Sequence, residues 1–537
     1  MDAFRLVPTR PPVERQPDPL PSRPVSALRG VVAVALGVAV GHLAAALTDP
    51  ARSPLAAAGS LVVDLTPTWL EQLAIRLLGT NDKPALLAGL GLAVVVLAAV
   101  AGLLARRHRS LGTAMVLALA LAAAGASLTR PGATLLDALP SVAGAVVATA
   151  AFAALTRRSP VVAEPELPPS FAGDAAARPK GQPSRRSVLF GVLAVGAGAA
   201  VVGAVGESVR RAGASAAAAL RQVVLPSPVD PALPLPADVE VGVPDVTPFR
   251  VANADFYRVD TALVVPQVDP SRWTLTVGGM VASPFTLTYD DLLALPMVER
   301  DLTLTCVSNE VGGPYAGNAR WLGVRLADLL SRAGVDPGAE QLLSTSVDGW
   351  TASTPISAAL DGRDSIVAVG MNGEPLPAEH GFPARLVVPG LYGFVSATKW
   401  VTSIEARRYA DRTAYWTERG WAIDAPVRTM ARIDAPRPLS TVPGGRVAIG
   451  GVAWAQHRGI DGVEVQVDDG PWREARLGGV PSDDTWRQWV LAWDAEPGRH
   501  VLRVRATDRT GETQTPDRRT PFPSGATGWH EVVVTVE

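Results

Sequence analysis

The sequence predicts a multi-domain chain in three parts: an all-α transmembrane region of about five helices, an α+β domain, and an immunoglobulin-like β-sandwich. Three observations predict it. Long apolar runs are confined to the first two-fifths of the 537 residues. A proline-rich stretch at 213–248 follows, with Pro226, Pro228, Pro231, Pro234, Pro236, Pro244 and Pro248. Beyond residue 432, short period-two alternations recur between turn signals, the pattern of an all-β module. A net charge of -2 offers no basic surface for nucleic acid. The mean hydropathy of +0.20 is high for a soluble chain, and the front end supplies it.

Residues 1–26 are rich in Pro and Arg, lack apolar periodicity and read as a disordered cytoplasmic tail. The membrane region, 27–212, carries apolar stretches at 27–47, 85–105, 111–128, 133–156 and 188–206, each near the length of a bilayer-spanning helix. Arginines set their orientation. Arg5, Arg10, Arg15, Arg23 and Arg29 precede the first span, and Arg106, Arg107 and Arg109 fill the loop between the second and third. Arg157, Arg158, Arg178, Lys180, Arg185 and Arg186 lie between the fourth and fifth. The positive-inside rule places the N-terminus in the cytoplasm and everything after the fifth span outside. The chain is then a multi-pass protein of the cytoplasmic membrane, in contact with lipid. In the long outer loop, residues 69–78 are amphipathic and suit the membrane surface.

Ser184-Arg185-Arg186-Ser187-Val188-Leu189-Phe190 resembles a twin-arginine export signal, the route of proteins that fold before export. His42 is the only histidine within a predicted span, so no pair of haem ligands is available there. No haem or iron–sulfur motif is visible elsewhere. Any electron transfer by this chain would then need a separate donor or acceptor, protein or small carrier.

After the linker, residues 249–431 mix short strands and helices. Trp273 to Val277 alternates as a strand, Thr288 caps a short helix running to Leu295, and Val324 to Ala333 is a helix stopped by Gly334. Leu302, Leu304 and Cys306 alternate along a strand that opens into Ser308-Asn309-Glu310. Cys306 is the only cysteine of the chain, which excludes an internal disulfide and a multi-cysteine zinc site. From the residues alone three readings stay open: a buried inert thiol, a nucleophile, or a single thiolate ligand to a group that is not protein. In 432–537, strands are expected at 446–453, 463–467, 486–493, 500–505 and 530–536. Trp454, Trp472, Trp486, Trp489 and Trp493 read as sandwich core.

The central domain carries Cys306 at a strand end, then Ala319-Arg320-Trp321-Leu322-Gly323, then Met371-Asn372-Gly373-Glu374-Pro375-Leu376-Pro377. His380-Gly381-Phe382-Pro383-Ala384-Arg385 and Lys399-Trp400 follow. In order and spacing these resemble the molybdopterin domain of the sulfite oxidase family, over about 250–537. The resemblance implies a molybdenum–molybdopterin cofactor whose pterin supplies two sulfurs and whose single protein ligand is Cys306. It implies cofactor contacts from Asn253, Phe256, Tyr257 and Arg258, from His380, Arg385 and Lys399, and from the loop Ser396-Ala397-Thr398, whose backbone would cradle phosphate. It also implies two-electron oxygen-atom transfer on a small-molecule substrate, and a C-terminal domain of the kind that forms homodimers.

Departures from the family pattern bear on the substrate. Where sulfite oxidases follow the ligand cysteine with Ala-Gly-Asn-Arg-Arg, this chain has Val307-Ser308-Asn309-Glu310-Val311. Val369 stands for a tyrosine and Ser396 for an arginine. These exchanges remove the cations of a small-oxyanion pocket and add an acid, so sulfite is not the expected substrate. Asn309 and Glu310 are candidates beside the metal, Glu310 as a proton donor if burial raised its pKa. Two readings compete: a cell-envelope cysteine-nucleophile hydrolase or transpeptidase, with His380 its only candidate base in the domain, and a non-enzymatic membrane scaffold with an adhesive β-sandwich.

Overall fold

The computed structural model describes residues 21–157, except 49, 68–69, 71–72, 75–76, 79–80 and 131–132, and residues 223–537. They fall into two compact units, one of N-terminal helices and one holding everything from Val223 onward.

The first unit contains α1 (Arg23–Leu47), the shorter α2 (Pro54–Leu65), α3 (Asp82–Leu104), α4 (Arg109–Leu128) and α5 (Leu139–Thr156). Among the described residues four helices are long and apolar enough to cross a bilayer: Arg23–Leu47, Asp82–Leu104, Arg109–Leu128 and Leu135–Thr156. They coincide with the first four expected spans. The fifth, 188–206, and the paired arginines before it lie outside the described residues, as does half of 69–78. Glycine brings α1 and α5 together: a Cβ on Gly37 would lie 2.5 Å from the Gly144 carbonyl oxygen. Close backbone approach through small residues is how helices associate where burial from water gives no drive. Leu92, Leu121 and Val146 are 65%, 72% and 63% exposed, an apolar exterior that suits a membrane anchor.

In the second unit β1 (Thr274–Gly279) pairs antiparallel with β2 (Phe285–Thr288), and α6 (Tyr289–Leu293) follows. A reciprocal box between Thr288 and Asp291 starts α6, as the sequence suggested. β3 (Val298–Thr305) and β4 (Ala316–Arg325) pair antiparallel across the cysteine loop. α7 (Leu326–Ala333) ends at Gly334, whose φ of +67° makes the left-handed cap. β5 (Gln341–Ser346), β6 (Thr351–Pro355), β7 (Ile366–Met371), β8 (Glu374–Pro375), β9 (Arg385–Val387) and β10 (Val401–Arg407) complete the domain. One sheet runs β3-β4-β7-β8 with β9 on β7, the other β2-β1-β10-β5-β6. Leu275, Leu302, Leu304, Leu342 and Ile404 join both sheets in one core.

The C-terminal part is all β: β11 (Met430–Ala435), β12 (Thr441–Val442), β13 (Gly445–Trp454), β14 (Ile460–Val467), β15 (Arg473–Glu474), β16 (Arg476–Leu477), β17 (Arg487–Ala495), β18 (Gly498–Asp508) and β19 (His530–Val536). Sheets β11-β13-β17-β16 and β12-β19-β18-β14-β15 enclose a second core that includes Ile449, Val465, Trp489, Leu502 and Val534.

Two expectations change here. The proline-rich stretch does not stand free as a spacer. From Val223 it is a strap, with Val223, Leu225 and Leu235 packed on the central core. Val229 N–H donates to the Met297 carbonyl (2.8 Å) and Val241 N–H to Gln488 Oε1 (2.7 Å). Proline removes donors the strap would otherwise have to satisfy, but hydrophobic burial holds it down. The tryptophans also divide. Trp489 and Trp493 fill the C-terminal core, Trp454 and Trp486 belong to the central core, and Trp472 is peripheral, packed edge-on to Trp529. Alternation identifies a strand's buried face without saying which core receives it.

Trp486 joins the two parts. Its indole Nε1 donates to the Phe249 carbonyl (2.8 Å) and its side chain is fully buried. Trp486→Ala is expected to cost roughly 3–5 kcal/mol. Thermal unfolding should show a clear drop in the midpoint of the second unit, with helical circular dichroism of the first retained; an unchanged midpoint contradicts the packing described.

Candidate functional site

β3 delivers the cysteine. Leu302 and Leu304 face the central core, the strand ends at Thr305, and Cys306 begins the loop. Cys306 N–H donates to the Tyr315 carbonyl (2.9 Å), so the loop closes on itself across the start of β4. Asn309 N–H donates to the Cys306 carbonyl (3.1 Å), and Asn309 Oδ1 accepts the Tyr315 N–H (2.8 Å). Asn309 is thus the internal tie of the turn. The Cys306 sulfur is 2.9 Å from Ser308 Oγ and the residue is 9% exposed. Burial pushes its thiol pKa up, while Ser308 and the positive charge of Lys399 oppose that shift.

Two buried cations, Arg385 and Lys399, stand in the same part of the domain, and Lys399 acts on the thiol. Arg385, on β9, is 5% exposed, with Nη1 donating to the His380 carbonyl (3.1 Å) and Nη2 to the Ala397 carbonyl (3.3 Å). Its guanidinium lies 5.1 Å from the Trp321 ring. Burial lowers its pKa to about 10. Lys399 donates to Asp260 Oδ2 (2.7 Å) and to the Glu379 carbonyl (3.1 Å), and burial lowers it to about 8 against the pull of Asp260. Arg258 pairs with the same carboxylate at 2.8 Å but is exposed. Burial, then the charge of Arg385, lowers His380 to about 4, leaving a neutral ring whose Nε2 is 3.0 Å from the Asn253 carbonyl oxygen.

The early loop and the Met-Asn-Gly turn are stitched together. Asn372, at φ +53°, donates through Nδ2 to the Val251 carbonyl and to Asn253 Oδ1, both at 2.9 Å. Asn253 Nδ2 in turn donates to the Met371 carbonyl (3.2 Å). Phe256 stacks on Tyr257 (5.1 Å) and meets Trp321 and His380 edge-on. Gly317 makes room for it, since a Cβ there would lie 2.8 Å from the Phe256 ring. Burial, then the sulfur of Cys306, pushes the Tyr257 phenol pKa up, while Arg385 opposes.

Cys306, Asn253, Phe256, Tyr257, His380, Arg385 and Lys399 therefore form one connected site. Other expected residues take different places. Glu310 is exposed, without the burial its proton-donor role required. Ser396 Oγ donates to the Leu391 and Tyr392 carbonyls (3.0 Å each), and Thr398 Oγ1 is 2.7 Å from Ser344 Oγ. Ala397 N–H donates to the Gly393 carbonyl (3.0 Å). This loop shapes the wall and presents the Ala397 carbonyl to Arg385. One participant was missed: Asp260, the counter-ion of Lys399. Asp260 sits in no motif.

Among the described residues Arg385 has no carboxylate partner, only carbonyl oxygens and a ring face. A buried cation without a counter-ion calls for an anionic ligand, and a phosphorylated pterin supplies one. A single buried thiol in the same cluster suits one soft-metal bond. The residues present fit the group.

Comparison with known proteins agrees. The family model described as the oxidoreductase molybdopterin binding domain matches residues 262–416. Mitochondrial sulfite oxidase of Homo sapiens is 30% identical over 332 residues, covering 51% of this chain and 59% of that protein. The uncharacterized oxidoreductase YuiH of Bacillus subtilis is 34% identical over 176 residues, covering 33% of this chain and 85% of that protein. The crystal structure of the sulfane dehydrogenase SoxCD from Paracoccus pantotrophus aligns over 50% of this chain and 79% of that one, at 26% identity and TM-score 0.43. The chain spans about three-fifths of the length of the sulfite oxidases it matches.

His380 carries a pH signature. Its folded pKa lies below the ordinary 6.5, at about 4, so between these values the unfolded chain binds a proton the folded one does not. Stability then rises with pH through this window and is lost as pH falls from 6.5 toward 4. His530, also lowered to about 4 by burial, acts in the same direction. His380→Gln should remove roughly half of this dependence of the thermal midpoint; an unchanged slope would mean that the ring is not held neutral.

Proposed function

This chain belongs to the sulfite oxidase family of molybdopterin-dependent oxidoreductases, and from that premise we propose that Cys306 is the one protein ligand to the metal. Bound, the molybdenum–molybdopterin group supplies two-electron redox chemistry and oxygen-atom transfer. The protein's part is placement and charge. Arg385 and Lys399 neutralise the pterin phosphate, with Asp260 keeping Lys399 protonated and aimed. Asn253 and Asn372 hold the early loop against β7, and neutral His380 adds a donor or acceptor without adding repulsion beside Arg385. Tyr257 and Phe256 give the ring system an aromatic face. The observation that carries this reading is the buried, carboxylate-free guanidinium of Arg385 in a cluster that also holds the chain's only thiol, Tyr257 lying within reach of both.

We read the substrate as a small molecule other than sulfite. Val369 is fully buried in the core and the Ser396 hydroxyl is spent on two backbone carbonyls, so neither position offers charge to an oxyanion. Glu310 adds a negative charge on the loop that follows the cysteine. The four apolar helices support a membrane anchor; the fifth expected span, 188–206, carries the oxidoreductase unit to the outer face of the cytoplasmic membrane in this reading, with electrons exchanged with a separate carrier. The arginine bias of the connecting loops supports that orientation. The C-terminal pair of sheets is read as immunoglobulin-like and as the surface for a homodimer.

Metal analysis of the full chain, produced with its export signal intact, tests this function. About one molybdenum and one pterin per chain are expected in the wild type; Cys306→Ser should hold the pterin loosely and lose the metal, and Arg385→Met should lose both. Wild-type protein without molybdenum sinks the proposal. Efficient sulfite oxidation that disappears in Cys306→Ser would overturn the substrate reading.

A further inference from the structure

The thiol-bearing strand is an edge strand. β3 pairs only with β4, so its outward N–H and C=O groups need partners from elsewhere. At its start the strap provides them: Glu299 N–H donates to the Asp230 carbonyl (2.9 Å). At its end, one residue before the cysteine, the partners come from the C-terminal β-domain. Thr303 N–H donates to the Asp484 carbonyl (2.9 Å). The Thr303 carbonyl accepts from Gln456 Nε2 (3.2 Å), and the same nitrogen donates to Thr305 Oγ1 (2.8 Å). Trp486 N–H donates to Thr303 Oγ1 (2.8 Å), whose O–H in turn donates to Asn318 Oδ1 (2.9 Å).

The far side of the cysteine loop is held from the same domain. Arg432 Nη1 donates to the Gly313 carbonyl (3.0 Å). The His530 ring packs against Gly312, where any Cβ would collide with it, and its Nδ1 accepts the Ile433 N–H (3.0 Å). Both flanks of the loop 306–315 are thus tied to residues beyond 430, and every tie is buried or half-buried.

We propose that the C-terminal β-domain is the brace that fixes Cys306, with Gln456 and Thr305 as its positioning residues. The proposal rests on the reading of Cys306 as the metal ligand. A ligand must be held to within about 0.5 Å of its productive place by groups that are themselves locked. Thr305 is the residue before the cysteine, and its hydroxyl is 2% exposed territory with Gln456 its partner from the other domain. Losing the Gln456 donor leaves two buried acceptors, the Thr303 carbonyl and the Thr305 hydroxyl, short of a partner. The strand end then opens more often, and the thiol with it.

Because the chain has one cysteine, a thiol reagent reports on this residue alone. In metal-free full-length protein, Gln456→Leu and Thr305→Val are expected to react with iodoacetamide about tenfold faster than wild type, the effect of one lost buried hydrogen bond on local opening. Thr305→Val removes a single oxygen at constant shape and guards against misfolding of the glutamine variant. Thr305→Ser keeps the hydroxyl and should restore the wild-type rate. In metal-loaded protein the first two variants should shift the sulfur-to-metal absorption band, whereas a domain that merely packs would leave it unmoved. Wild-type labelling rates in both variants overturn the brace. Loss of the band in Cys306→Ser decides the ligand reading separately: faster labelling together with a band that survives Cys306→Ser keeps the brace and removes the ligand.

Discussion

The outer edge of β3 is the constraint on which the soluble unit is built. β3, which ends at the chain's one thiol, pairs only with β4, so one side of it is left without a strand. Its polar backbone groups are then answered piecemeal, by the strap at Glu299 and by Asp484 and Gln456 at Thr303. That division explains why prolines precede the domain and why two tryptophans of the C-terminal part belong to the central core. Trp454 and Trp486 are buried in the central core, and Trp486 N–H reaches Thr303 Oγ1 on that open edge.

Charge is the second constraint, and it works against stability in the protein alone. Burying Arg385 without a carboxylate and pushing Lys399 down to about 8 cost folding free energy that no intramolecular pair returns in full. The surroundings soften this. Carbonyls of His380 and Ala397 point at the guanidinium, Trp321 offers its face, and His380 itself stays neutral. Such a site is stable enough to fold and remains short of negative charge, which is what a phosphorylated ligand completes.

Much of this was legible in the residues. The capping box at Thr288, the stop at Gly334, four apolar spans and the strand ending at Cys306 follow from local rules that use a few neighbours each. The buried cluster of His380, Arg385 and Lys399 was legible because the three stand in a run whose spacing is itself distinctive. What escaped depends on contacts remote in sequence. Asp260 finds Lys399 across 139 residues and Gln456 finds Thr305 across 151, and nothing local marks either. The proline-rich stretch looked like a spacer because composition reports backbone stiffness, whereas its docking depends on Val223, Leu225 and Leu235 finding a core elsewhere. Asn309 and Glu310 were placed at the site by adjacency to the cysteine, but a tight turn sends one side chain inward to tie the loop and the other outward to solvent.

The separation of elements also explains how cofactor and substrate can diverge. Groups that suit the pterin come from the early loop, from β9 and from Lys399, all locked by hydrogen bonds among themselves. Positions 310, 369 and 396 lie on the cysteine loop, on β7 and in the helix Gly393–Ser396, and none of their side chains takes part in that network. Exchanging a residue there alters the charge a substrate meets while leaving Arg385 and Lys399 with the same partners. Ser396 makes the point: its hydroxyl closes on the Leu391 and Tyr392 carbonyls, so losing an arginine at this position leaves no hole and no orphaned donor. Family membership therefore travels with the cofactor residues, and the substrate has to be sought in the loops that surround them.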